Sequence, residues 1–515
     1  MTALDNKGNV VTGLTAADFT IRDEGKLRPV AFFRFDGAPP SPAPALPADR
    51  RPAPAVVSNR TDPAGESPLN VCALVLDALN TPAEQNVLVR AQMMRYLKAL
   101  APRTRVAIFS MGKELRTLHD FTDDGESLRA RPEKATLAMP LDSVTDFTRS
   151  VEEAEQLVKI LGGTGSEEAI AEIMKNALSA ESMANSAARA RRLERTLAAM
   201  DALGKHLAGI PGRKSLVWIG AGVAMFSLDM SKRPPYTIRD DFRPKVESAS
   251  RRLAQEGVIL YLVDSKGLQS PREFEASFAL PRSAIETGRF EKQVDAENIS
   301  ADPLPTMRLM AKITGGRYLF NTNDMTLGFQ QVAADLRGSY TLGFYAPEAP
   351  DEKWHKLKVQ VKRSGIEVRH REGYLFGAAP PQTPDWTNET WSAAFSNPVG
   401  SSAIQLTASL EPAPGGERLL NLTIGVDRVQ FRSENGDFTA DLRVAVGELT
   451  AEGLTAPPHA AKLAVNVSAS KWEESNKTGI PFHRQWKPAP DATRLRVVVL
   501  DANTGQYGSV DLKLP

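Results

Sequence analysis

The chain has 515 residues, 63 Lys+Arg against 62 Asp+Glu, a formal net charge of +1, and is 42% hydrophobic and 24% charged. That length exceeds what one hydrophobic core supports, so several domains are expected. The balanced charge gives no electrostatic pull toward nucleic acid or anionic lipid. The single cysteine, Cys72, excludes an internal disulfide framework and a cysteine zinc site.

Residues 1–36 alternate short apolar runs with turn residues and read as a small β unit, entered almost without a leader. The first thirty residues do not have the pattern of a signal peptide, so the true N-terminus, with any export signal, is expected upstream of Met1. Residues 37–69 are crowded with Pro, Ala and Ser and predict an extended linker.

The pattern then changes. Residues 71–76, 106–109, 216–219 and 258–263 are apolar throughout, as strands of a parallel sheet covered on both faces must be. Residues 83–100, 243–256 and 326–338 carry helical periodicity between or after them. The expectation is a doubly wound, mainly parallel α/β domain over 70–338. Residues 143–209, rich in Ala, Glu and Arg, predict a helical insertion of two or three helices.

From residue 339 to 377 the strands alternate apolar and polar side chains, as in an antiparallel sheet with one wet face. This segment is expected to complete a sandwich with residues 1–36. A second linker is expected over 378–400. Short punctuated strands over 401–515 predict an immunoglobulin- or fibronectin-like β-sandwich. No apolar run reaches the roughly 18 residues a transmembrane helix needs.

The run Leu76-Asp77-Ala78-Leu79-Asn80-Thr81 closes the first parallel strand, at the carboxyl edge where such folds place ligands. It resembles a drifted form of the Asp-x-Ser-x-Ser loop of von Willebrand factor A (vWA) domains. Further matches are residues 11–20 with Asp23-Glu24-Gly25, Phe121-Thr122-Asp123-Asp124, residues 211–218, residues 263–268, residues 314–318 and Arg371-Glu372-Gly373-Tyr374. Together they resemble the VWFA-related proteins abundant in acidobacteria, over the first three quarters of the chain. The resemblance implies an exported protein and a metal-ion-dependent adhesion site. In that site a hard cation sits among carboxylate and hydroxyl oxygens and bridges to a partner's acidic group.

Measured against the pattern, Asp77 matches the first ligand and Thr81 the third, but Leu79 takes the second place. Gly220-Ala221-Gly222 stands where Thr-Asp-Gly would supply the second carboxylate, and Gly162-Gly163-Thr164 is an uncertain match to the Thr loop. The site is therefore degenerate and no cofactor is expected. Mg²⁺ or Ca²⁺ are the ions a surviving site would take. Asp77 and Asn80 also fit a capping role, and Asp264, on the same edge, fits a turn or a polar crevice shared with Asp77. Asn80 and Asp264 are the candidate binding edge.

A dinucleotide site lacks its Gly-x-Gly-x-x-Gly, the six histidines show no ligand spacing, and no nucleophile elbow occurs. The expected function is a non-enzymatic module for an unidentified protein partner. The alternatives are a metal-dependent hydrolase with Asp77 and Asp264 as paired carboxylates, and a purely structural scaffold.

Overall fold

The computed structural model describes residues 1–37, 56–59, 70–82, 85–98, 104–122, 167–210, 213–229, 237–265, 303–320, 331–333, 335, 338–346, 351, 353–377, 391, 394–397, 399–434, 436–450 and 453–514. The central body is a mixed α/β unit on a six-stranded sheet. Its strands are β1 (Asn70–Asp77), β2 (Thr104–Met111), β3 (Leu115–Thr122), β4 (Arg213–Gly220), β5 (Val258–Asp264) and β6 (Arg317–Leu319). They lie in the order β6-β5-β4-β1-β2-β3. Every pair is parallel except β2 and β3.

Every residue of β1 is buried, and successive side chains point to opposite faces. Cys72, Leu74 and Leu76 pack with Val89, Met93, Tyr96 and Leu97 of helix α1 (Asn86–Lys98). Val71, Ala73 and Val75 join the other cluster, with Leu193, Met200 and Leu203 of α2 (Glu167–Ala208), Val246 and Leu253 of α3 (Arg243–Gln255), and Met307 and Met310 of α4 (Leu304–Thr314). Both α3 and α4 carry proline in their first turn, where its missing N–H costs no helical bond. Gly315, at φ 78°, ends α4 in the left-handed conformation.

Within the predicted insertion, residues 167–208 form one helix of 42 residues. No proline falls inside it and no glycine before Gly204, so nothing in the sequence breaks it. Residues 143–166 lie outside the described residues. The antiparallel β3 was not anticipated, because beyond Leu115 none of its residues is buried and its pattern is that of a solvated edge.

Residues 1–36 and 339–376 pair across the whole length of the central body. Thr2–Leu4 pairs with Glu367–Arg369, Phe32–Asp36 with Ser339–Gly343, and Phe19–Asp23 with part of Lys353–Val361. Their common core centres on Tyr340, with the rings of Phe35, Phe19 and Phe33 at 4.7, 5.3 and 5.8 Å. The Tyr340 hydroxyl donates to Val11 O at 2.8 Å.

In the same unit His355 bridges two carboxylates, with Nδ1 3.1 Å from Asp23 Oδ1 and Nε2 3.1 Å from Asp351 Oδ1. Desolvation opposes its charge, but the bonds to Asp351 and Asp23 outweigh it and raise the imidazole above its ordinary value. The folded state therefore holds this proton longer than the unfolded chain does. The resulting stability is complete below the unfolded pKa of about 6.5 and is lost as pH rises through the higher folded value. The melting-temperature difference between wild type and His355→Gln is expected to be largest near pH 5.5 and to shrink toward pH 8.5; taking the difference cancels the Met1 amino group, held down by burial to about 5, which acts in the opposite sense in both proteins. A difference that does not change with pH would refute the assignment.

The C-terminal region contains two sheets. One holds Leu406–Pro412, Arg418–Ile424 and Ile480–Trp486; the other holds Arg432–Glu434, Asp437–Leu449, His459–Ser468, Arg494–Asp501 and Tyr507–Lys513. Leu406, Leu420 and Leu422 of the first share one cluster with Leu442, Val444, Leu495 and Val497 of the second.

Two pieces expected as linker are structured. Val56–Ser58 pairs with Thr407, Ala408 and Ser409 at the edge of the first sheet. Trp391, Ala394 and Phe395 pack on Ala445, Val498 and Leu500, because large apolar side chains there have a sheet face to cover. Apart from Gly37, Asn59, Ser396, Asn397, Val399 and Gly400, the rest of both predicted linkers lies outside the described residues. Among the described residues no helix is long and apolar enough to cross a membrane.

Candidate functional site

In the sheet order β6-β5-β4-β1-β2-β3, the direction of strand succession reverses between β1 and β4. Sheets with this order receive ligands in the crevice at the carboxyl ends of the two strands flanking the reversal. Here those ends are Asp77 and Gly220. The backbone turns sharply after Asp77, with Ala78 N and Leu79 N both donating to Met111 O of β2, at 2.8 and 2.9 Å.

Asp77 is 1% exposed. Its Oδ1 accepts from the Asn80 backbone N–H at 3.0 Å, and its Oδ2 accepts from Asn80 Nδ2 and from the indole Nε1 of Trp218, both at 2.8 Å. Burial raises the Asp77 carboxyl above its ordinary value, while the bonds from Asn80 and Trp218 pull the other way. Asn80 Nδ2 also donates to Thr196 Oγ1 of α2 at 2.9 Å. Asn80 Oδ1 is buried and finds no donor among the described residues. Thr81 is fully buried, and its Oγ1 accepts from Ala221 N at 3.2 Å.

Gly220 is required by this packing. A Cβ there would stand 2.6 Å from Asp77 Cβ and 3.1 Å from Thr81 Oγ1, closer than carbon atoms approach.

The structure thus brings Asp77, Asn80 and Thr81 together. Asp264 is in register with Gly220, two strands from β1, which puts it roughly 10 Å from Asp77 along the hydrogen-bonding direction. It accepts from the Tyr318 hydroxyl of β6 at 3.2 Å.

Sequence reasoning placed Trp218 in its strand but did not make it a partner of Asp77. The signal was present: an indole inside a fully buried strand must find an acceptor for its N–H, and Asp77 ends the neighbouring strand.

The donor set does not fit a hard divalent cation. Such an ion takes oxygen ligands, carboxylates foremost, and the Asp77 carboxylate is engaged by three N–H donors. Leu79 is fully buried in the apolar cluster with Phe109 and Met111, and Ala221 supplies no carboxylate. Among the described residues beside Asp77, the neutral oxygens of Asn80 and Thr81 remain; the candidate Thr loop, residues 162–164, lies outside the described residues. Among the described residues no group of three His, Cys, Asp or Glu is placed to hold a metal.

No family model matches the sequence, and no curated protein matches it. Among solved structures the chain is similar to the conserved hypothetical protein BatB from Bacteroides thetaiotaomicron, at 11% identity and a TM-score of 0.25, over 52% of this chain and 98% of that one. It is also similar to an aerotolerance-related membrane protein from Bacteroides fragilis, at 10% identity and a TM-score of 0.25, over 51% and 96% of the two chains. A von Willebrand factor type A structure from Catenulispora acidiphila aligns at 8% identity and a TM-score of 0.23, over 86% of this chain and 65% of that one. Likenesses of this size carry no argument about fold or function, which rest here on strand order and side-chain geometry.

Proposed function

We propose that this chain is a non-enzymatic protein-binding module. In this reading the central body is a doubly wound, vWA-like domain related to the VWFA-related proteins, the C-terminal sheets form a sandwich, and the protein is exported. The observation that carries the reading is the engagement of the buried Asp77 carboxylate by three N–H donors from Asn80 and Trp218. A carboxylate so engaged is a fixed strut between β1, β4 and α2. Three of its roughly four acceptor sites are taken by N–H donors, and at 1% exposure it faces no solvent, which makes it a poor general base and a poor cation ligand.

What the carboxyl edge offers a partner is surface. The hairpin of Phe226–Asp229 and Thr237–Asp241 follows β4 there and holds Ile238 55% exposed. A hydrolase built on Asp77 and Asp264 is disfavoured by their separate partners and by the Trp218 N–H already committed to Asp77.

Calorimetric titration with Mg²⁺, Mn²⁺ and Ca²⁺ tests this. The expected result is no saturable heat at millimolar cation for either wild type or Asp77→Ala. Cation binding by wild type that Asp77→Ala abolishes would overturn the reading and restore an adhesion-type metal site.

A further inference from the structure

The strand Val56–Ser58 comes from a proline-rich stretch yet forms the outer edge of a C-terminal sheet, antiparallel to Leu406–Pro412. Val57 is 36% exposed and Ser58 is exposed, so these two side chains contribute little apolar burial. Main-chain pairing and one carboxamide hold the segment there. Asn59 Nδ2 donates to Ser401 O at 3.0 Å and to Ile404 O at 2.9 Å, while its Oδ1 accepts from Leu406 N at 2.7 Å. The Asn59 backbone N–H donates to Leu406 O at 3.1 Å, and Ser58 Oγ donates to the same carbonyl at 2.8 Å.

Both hydrogens and the oxygen of the Asn59 amide are thus matched by backbone groups of residues 401–406. An aspartate in its place would turn an acceptor toward two carbonyls, and an alanine would strip Ile404 O and Leu406 N of these bonds, while Ser401 O keeps the Ser509 N–H at 2.8 Å. This is a recognition pocket for asparagine beside an edge strand that accepts extended chain.

From this geometry we infer that the edge strand Leu406–Pro412, with the segment 401–406, is a strand-addition site for an extended peptide bearing asparagine, and that residues 56–59 are its resident ligand. Strand addition takes affinity from main-chain bonds and specificity from side-chain pockets. A three-residue strand with two exposed side chains belongs to the weakly held part of a structure, so a competing segment can displace it. The segment it contacts also reaches the central body: Ser401 Oγ donates to Lys205 O, and Gly209 N donates to Ser402 Oγ, at the end of α2. This surface is separate from the carboxyl edge of the central sheet, and its test does not depend on what that edge binds.

The test uses the full chain carrying Val57→Pro and Asn59→Ala, which removes a ladder donor and the carboxamide together. A fluorescein-labelled peptide of residues 54–61 is titrated against it and followed by anisotropy. The double variant is expected to bind the peptide at least tenfold more tightly than wild type does, and peptides with Asn59→Ala or Asn59→Asp are expected to bind at least tenfold more weakly. Absence of binding to a variant that keeps the wild-type near-ultraviolet spectrum, or equal binding of the three peptides, would overturn the inference. Should the double variant not fold, amide exchange in the single variant Asn59→Ala decides. There the Leu406 amide is expected to exchange at least tenfold faster while residues 420–424 are unchanged, and an unchanged Leu406 rate overturns it.

Discussion

Asp77→Ala is expected to lower the unfolding free energy by about 2–4 kcal/mol, because it orphans buried donors at roughly 1–3 kcal/mol each. Asn80 Nδ2 keeps its bond to Thr196, so the groups left without a partner are the Asn80 backbone N–H and the Trp218 indole N–H. Asp77→Asn is expected to lose nearly as much. Whichever way its amide is turned, an NH₂ group faces either Trp218 Nε1 and Asn80 Nδ2 or the Asn80 backbone donor. The measurement is the urea midpoint, with an unchanged slope marking a change in stability alone. The sign separates two accounts of the residue. A carboxylate kept for a cation would be a buried charge at rest, and its removal in metal-free buffer would be neutral or stabilising. A variant as stable as wild type would therefore refute the strut.

The same residues show what was legible in the sequence. The strands of the central sheet could be read because a strand covered on both faces has no polar positions to obscure it, and Asp77 stood out as the polar residue that ends such a run. Its partners could not be read in the same way. Trp218, and Thr196 which holds Asn80, lie far from Asp77 in sequence, and their meeting depends on β1 and β4 becoming neighbours and on α2 lying over that face. The absence of a second hydroxyl and a second carboxylate at Leu79 and Ala221 was plain from the motif alone; that the remaining oxygens of Asp77 are spent on N–H donors was not. The antiparallel β3 escaped because a wet edge strand is nearly as polar as a loop. Val56–Ser58 escaped because three residues among prolines carry no periodicity, and only the acceptor strand 350 residues later makes them a strand.

Asp335→Ala is expected to cost more, about 3–5 kcal/mol, as found when one partner of a buried ion pair is removed. Asp335 is 2% exposed. It accepts from Arg317 Nε at 3.1 Å and Nη2 at 3.2 Å, from Arg369 Nη1 at 3.0 Å, and from the Tyr261 hydroxyl at 3.3 Å. Burial raises this carboxyl, and the charge of Arg317 is the largest force holding it down. Without it two largely buried guanidinium groups are left facing one another, with, among the described residues, Gln331 on Arg317 and the longer contact of Glu367, 3.9 Å away, on Arg369. The consequence reaches beyond one site. Arg317 belongs to β6 of the central sheet, whereas Arg369 belongs to the strand that pairs with Thr2–Leu4 in the β unit. Asp335 is the charge that joins the two. Calorimetry is expected to show the β unit melting ahead of the central body in the variant, with both in one transition in wild type. A variant within 1 kcal/mol of wild type, still melting in a single step, would mean that other contacts between the units, such as Glu372 N donating to Ile313 O at 3.1 Å, join them without help from the ion pairs.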